Sequence, residues 1–157
     1  MKYKKNLFWA LGLTLLLDVP TKALALRYLQ GQEAISLGGL VVLTWYENSG
    51  MALGLLSEVP ALGILLPLVI VGIGGWVLWQ MKPGVLGITA CGMILGGFVG
   101  NMADRIFRGK VIDMLYFPWL PFFICNVADI AITFGVIFLG IDLLRRREEK
   151  DGEMGEG

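Results

Sequence analysis

The chain has 157 residues, of which 56% are hydrophobic and only 17% charged, against roughly 25% charged in soluble domains. Basic and acidic side chains cancel at thirteen each, which leaves no net field for capturing nucleic acid. There is no His, so Ser-His and Cys-His nucleophile pairs and the His-Glu-x-x-His zinc motif are excluded.

Two cysteines, Cys91 and Cys125, supply neither a disulfide framework nor a thiolate cage, so no metal and no cofactor is expected. Both read as small apolar core residues.

Met1 to Lys5 carries Lys2, Lys4 and Lys5, and an apolar run follows. The opening imitates a secretory signal peptide, and Ala23-Leu24-Ala25 imitates a cleavage site. Asp18, Lys22 and Arg27 crowd that site, so the reading is a retained first span over about 7–27. Asp18 and Lys22 are four apart and share a helix face. They either end the span or brace the site beside it. Pro20 between them is expected to kink or break the helix.

Residues 30–58 form the longest stretch outside the spans. Val41 to Tyr46 is β-branched and aromatic and reads as a strand. Asn48-Ser49-Gly50 reads as a turn and Met51 to Leu56 as a second short run, which together suggest a small hairpin or sheet. Trp45 and Tyr46 suit a membrane interface. The expectation is an extended platform on the outer leaflet.

Two more spans, about 61–79 and 85–105, each hold 19 residues without a charge, from Ala61 to Trp79 and from Val85 to Ala103. A fourth runs over about 126–144 and ends in Arg145-Arg146-Arg147. With the amino terminus inside, inner segments hold eight Lys and Arg and outer ones four (Arg27, Arg105, Arg108, Lys110). That bias places both termini in the cytoplasm. The fold class is therefore membrane α-helical, with four transmembrane helices and the platform between the first two. Residues 1–147 form one domain, and 148–157 is read as a disordered tail.

The chemistry concentrates between Gly96 and Asp129. In the third span Gly92, Gly96, Gly100 and Asp104 recur every four residues, as do Gly97, Asn101 and Arg105. Small residues at this spacing admit a close neighbour, and both stripes end in polar groups. Gly109 reads as a helix stop and Val111 to Met114 as extended. Asn126 and Asp129 open the fourth span, where Asn126 alone could be a plain helix cap. Alternating topology brings Asp104, Asp113 and Asp129 to one mouth. Two carboxyls sharing a site cannot both ionise cheaply, so one keeps a proton while the other acts as a base.

Five blocks now lie in order: Asp18-x-x-Thr21-Lys22, Asn48-x-Gly50-x-Ala52, Gly96-Gly97-x-x-Gly100-Asn101-x-x-Asp104-Arg105, Val111-x-Asp113 and Asn126-x-Ala128-Asp129. Over nearly its whole length the chain resembles the lipoprotein signal peptidases (signal peptidase II) of bacteria. The resemblance implies an aspartic endopeptidase at the membrane edge, multi-pass in the cytoplasmic (inner) membrane. It would remove signal peptides from prolipoproteins just before the diacylglyceryl-modified cysteine, at the outer leaflet. It implies Asp113 and Asp129 as the catalytic pair. Asn48, Gly50, Asn101, Arg105 and Asn126 fall around substrate and pair, and Asp18, Lys22 and Asp104 in support. The implied partners are the lipidated prolipoprotein and membrane phospholipid, with no nucleic acid and a monomeric enzyme.

Val19, Leu53 and Cys125 depart from the family pattern, which bears on pocket shape. Other classes explain less. A transporter would favour charges at mid-span and internal repeats, and a Ser-Lys peptidase would need Ser49 and Lys22 together. A scaffold would explain the glycines but not three acids at one mouth.

Overall fold

The computed structural model describes residues 3–49, 62–120 and 123–155. In chain order the elements are α1 (Lys4–Tyr28), β1 (Ile35–Leu37), β2 (Val41–Asn48), α2 (Leu62–Met81), α3 (Val85–Arg108), β3 (Val111–Tyr116), β4 (Ile124–Cys125) and α4 (Val127–Gly155). Among the described residues three stretches, Lys4–Tyr28, Val85–Arg108 and Val127–Glu148, are long and apolar enough to cross a membrane. The helix α2 has 20 residues around the apolar stretch Pro67–Trp76. Large apolar side chains such as Trp9, Leu16, Trp76 and Phe107 point outward, as suits a chain whose solvent is hydrocarbon.

Packing follows the two glycine stripes. A Cβ at Gly96 would lie 2.7 Å from Thr14 Cβ, and one at Gly92 would collide with the Leu7 carbonyl. The first stripe therefore holds α3 backbone-close to α1. A Cβ at Gly97 would lie 2.6 Å from the Ala128 carbonyl, so the second stripe faces α4. Helix α3 is the central post of the bundle. It ends at Gly109, whose φ of 76° is the left-handed cap that only glycine adopts cheaply.

The sheet runs β1-β2-β3-β4, antiparallel throughout. Its first hairpin turns through Gly38 and Gly39, at φ 61° and 74°. Ile112 and Met114 face one way and pack on Ala25 and Leu29 at the end of α1, with Leu43 and Trp45 beside them. Strand alternation then turns Asp113 to the opposite face.

Three expectations change. Helix α1 continues through Pro20 without a break. Thr21 Oγ1 donates to the carbonyls of Leu17 and Asp18 (2.8 and 2.9 Å), the kind of help that lets membrane helices tolerate proline. The partner of β2 is β3, from beyond the third span, on one side and β1 on the other. The expected partner run, Met51 to Leu56, lies outside the described residues, as does Gly50. Finally, α4 continues to Gly155, where the sequence reading has a disordered tail from residue 148. Arg145 to Lys150 are all good helix formers, so nothing ends the helix where its apolar run stops.

Opposite the site, Asp142 Oδ2 accepts the Gly84 N–H (2.8 Å) and Arg146 Nε (3.2 Å), tying the start of α3 to α4. An apolar cavity of about 720 Å³ lies between the helices, lined by Leu7, Gly74, Cys91, Phe98, Ile132 and Leu139 among others. None of the clustered acids lines it.

Candidate active site

Asp18 and Lys22 lie one turn apart on the face of α1 turned toward α3. Gly100 makes room, since a Cβ there would come within 2.5 Å of Asp18 Oδ2. Lys22 is 2% exposed, and its Nζ lies 2.7 Å from Asp18 Oδ2 and 3.1 Å from Asp104 Oδ2. It also donates to Asn101 Oδ1 at 2.8 Å. Asp18 Oδ1 in turn accepts the Ala128 N–H at 2.9 Å, fastening the first turn of α4 to α1. The pair therefore ties α1 to α3 and to the first turn of α4 in addition to ending the apolar run.

Asp104 is held by Lys22, by Arg108 one turn on in α3, and by the Ile112 N–H at 3.3 Å. It is a structural acceptor that anchors the start of β3 to α3. Arg108 escaped the sequence reading, although its i,i+4 spacing from Asp104 was a usable signal.

Asn126 caps α4 and also reaches the clustered acids. Its Oδ1 accepts the Asp129 N–H (2.9 Å) while Asp129 Oδ2 accepts the Asn126 N–H (3.3 Å), a reciprocal capping box. That leaves its Nδ2 to donate to Asp113 Oδ1 at 2.6 Å, Asn101 Oδ1 at 3.1 Å and the Ile112 carbonyl at 3.3 Å. Asn101 Nδ2 donates to Asp129 Oδ1 at 2.8 Å, and Asn48 Nδ2, from β2, to Asp113 Oδ2 at 2.9 Å. The two carboxyls of Asp113 and Asp129 are thus joined through one asparagine. Asp113 and Asn126 are fully buried.

Burial pushes the Asp113 carboxyl up to about 6; Asn48 and Asn126 oppose that by donating to it, and neighbouring Asp129 adds to it. A carboxyl poised there can hold or release a proton near neutrality. Arg105 is half-buried within electrostatic range of Asp129, Asp113 and Asp104, its guanidinium making no hydrogen bond or ion pair among the described residues. The Cys125 thiol, 1% exposed, is pushed up to about 12, first by burial and then by Asp129 and Asp113, so it is no nucleophile. Lys22 is engaged by three oxygens, which leaves no base for Ser49. Among the described residues no three His, Cys, Asp or Glu side chains are placed to hold a metal.

The structure therefore brings together nine of the ten residues singled out from sequence: Asp18, Lys22, Asn48, Asn101, Asp104, Arg105, Asp113, Asn126 and Asp129. They come from α1, β2, α3, β3 and α4.

A family model described as signal peptidase (SPase) II matches residues 10–145. The chain is 37% identical over 150 residues to a lipoprotein signal peptidase of Pelodictyon phaeoclathratiforme, covering 87% of this chain and 89% of that one. It is 37% identical over 155 residues to a lipoprotein signal peptidase of Syntrophomonas wolfei, covering 92% and 98%. Its fold is similar, at a TM-score of 0.81 and 22% identity, to a bacterial membrane enzyme solved by the in meso method at 2.3 Å resolution, covering 94% of this chain and 93% of that one.

Proposed function

We propose that this chain, which belongs to the signal peptidase II family, cleaves with Asp113 and Asp129 as its reacting pair. It is an aspartic-type peptidase that removes signal peptides from prolipoproteins. The observation that carries the pair is Asn126, whose side-chain amide donates to the Asp113 carboxyl while its backbone N–H donates to the Asp129 carboxyl. One carboxyl activates water against the scissile carbonyl while the other supplies a proton to its oxygen.

The finer reading is an endopeptidase that cuts just before the diacylglyceryl-modified cysteine, at the outer leaflet of the cytoplasmic membrane. Four spans, with α2 as the second, and the eight-to-four bias of Lys and Arg support cytoplasmic termini and an outer active site. Phospholipid surrounds the spans, and the sheet's exposed Ile35, Leu37 and Tyr46 suit the headgroup boundary. All nine clustered residues come from one chain, which supports a monomeric enzyme formed as one domain over residues 1–147. Gly50 lies outside the described residues, and its place among the site residues is carried by the Asn48-x-Gly50-x-Ala52 block alone.

The test is turnover of a lipid-modified prolipoprotein and its unmodified form by purified enzyme in detergent. Wild type should cut the lipidated form, and Asp113→Asn and Asp129→Asn should each abolish cutting in monodisperse protein. Asp104→Asn should lower folded yield and retain activity per folded molecule. Near-normal turnover by Asp113→Asn, with none by Asp104→Asn, would transfer the role to Asp104.

A further inference from the structure

Asp113 accepts two side-chain amides, from Asn48 and Asn126, and Asp129 accepts one, from Asn101, and what stands behind them differs. Asn101, the donor to Asp129 Oδ1, has its own oxygen 2.8 Å from the Lys22 ammonium. Lysine only donates, so it fixes which end of the Asn101 amide faces inward. The NH2 end must then meet Asp129, as suits a carboxylate. Asp129 also occupies the first turn of α4, at the positive end of the helix dipole, and accepts a backbone N–H there. Asp113 sits on a strand, which has little dipole. Its donors, the Asn48 and Asn126 amides, are neutral.

We propose that Asp129 is the ionised base of the pair and Asp113 the protonated acid, and that Lys22, acting through Asn101, is the positioning residue that sets this order. The inference rests on the assignment of Asp113 and Asp129 as the reacting pair. Charge balance agrees with it. Lys22, Arg105 and Arg108 face the four carboxyls of Asp18, Asp104, Asp113 and Asp129, so one proton makes the cluster neutral.

Asp129 is met by Asp18 and Lys22 from α1, Arg105 from α3, Asp113 from β3 and Cys125 from β4. Asp113 is met by Lys22, Arg105, Asp129 and Cys125, with Tyr46 its cross-strand partner on β2. Arg105 and Cys125 face both acids and do not separate them. Asn101 donates directly to Asp129 and reaches Asp113 only at second hand, through the Asn126 amide that shares its oxygen.

The cycle then closes. As water oxygen bonds to the scissile carbonyl carbon, its proton passes to Asp129 and the Asp113 proton passes to the carbonyl oxygen, giving a neutral geminal diol. The C–N bond breaks as Asp129 returns its proton to the leaving amine nitrogen. Asp113 takes one back from a diol hydroxyl, which becomes the new carboxyl carbonyl. Both acids end as they began.

The experiment is the pH profile of kcat/KM, whose acid limb reports loss of the base and whose alkaline limb reports loss of the acid's proton. The limbs belong to the coupled pair, so the question is which donor governs which limb. Asn101→Ala removes the donor to Asp129 and should move the acid limb up by about one pH unit, the size of one lost charge-assisted hydrogen bond. Asn48→Ala should move the alkaline limb up and leave the acid limb in place. Lys22→Met in the Asp18→Asn background should act as Asn101→Ala does. The opposite pattern, or immobile limbs, overturns the inference. Should Asn101→Ala fail to fold, the limb moved by Asn48→Ala decides alone. Failure of the pair itself looks different: Asp113→Asn or Asp129→Asn would then keep turnover.

Discussion

Lys22→Met removes the one cation that Asp18, Asp104 and Asn101 share. Lys22 is 2% exposed and Asp18 fully buried, so the variant strands a carboxylate with no water to replace its partner. Asp104 suffers less because Arg108 and the Ile112 N–H remain. Breaking one side of such a pair costs about 3–5 kcal/mol. For a chain of this size that corresponds to a fall in Tm of roughly 6–20 °C. Adding Asp18→Asn removes the stranded charge, and the new amide oxygen can still accept the Ala128 N–H now held at 2.9 Å. The double variant should therefore recover about 1–3 kcal/mol, the coupling usual for groups in contact. Thermal unfolding of wild type, Lys22→Met, Asp18→Asn and the double variant in one detergent measures this cycle. A Lys22→Met Tm within 2 °C of wild type, on the scale just given, or a double variant less stable than Lys22→Met, would refute the bracing role.

Two other outcomes follow from the same contacts. Burial raises Asp113 to about 6 from 3.8, so its stabilising contribution is fully present below the unfolded value and is lost as pH rises through the folded one. Wild type should lose about 2 kcal/mol more than Asp113→Asn between pH 4 and pH 7, from 1.36 kcal/mol per unit; parallel unfolding curves for the two proteins would contradict this. Gly96→Ala drives a methyl to 2.7 Å from Thr14 Cβ and 2.9 Å from the Leu11 carbonyl, and should cost about 1–3 kcal/mol, whereas Gly12→Ala meets nothing within 4 Å and should be neutral or better. Equal Tm values for the two glycine variants would show that α1 and α3 are not held at glycine distance.

Much of the site was legible because its residues lie at helix spacings. Asp18 with Lys22, and Asn101 with Arg105, are one turn apart, so a linear reading already puts each pair on a face. The glycine stripes were legible for the same reason, and each found the helix its spacing allowed. Pairing across the sheet was not legible, because β2 and β3 are separated by two helices and no local pattern names a partner. The Gly38-Gly39 turn was a local signal for the β1–β2 hairpin, overshadowed by the apolar run after Gly50. The reach of Lys22 to Asn101 depends on how closely α1 approaches α3, a distance that no single helix encodes. Proline in α1 misled for want of weighing Thr21, which follows it and bonds the carbonyls behind it.

The i,i+4 ion pairs bear on how the protein enters the membrane. Asp18 travels with Lys22, Asp104 with Arg108 and Asp142 with Arg146, each acid with a counterion one turn on in the same helix. A helix leaving the insertion machinery therefore brings its own neutralising charge and presents the bilayer with a dipole instead of an ion. Asp129, half-buried in the first turn of α4, lacks such a companion among the described residues, and Thr133 stands where a cation would be. Apart from Asn126, its partners reside on helices made earlier, so the cluster around Asp129 closes only when α4 docks on α1 and α3.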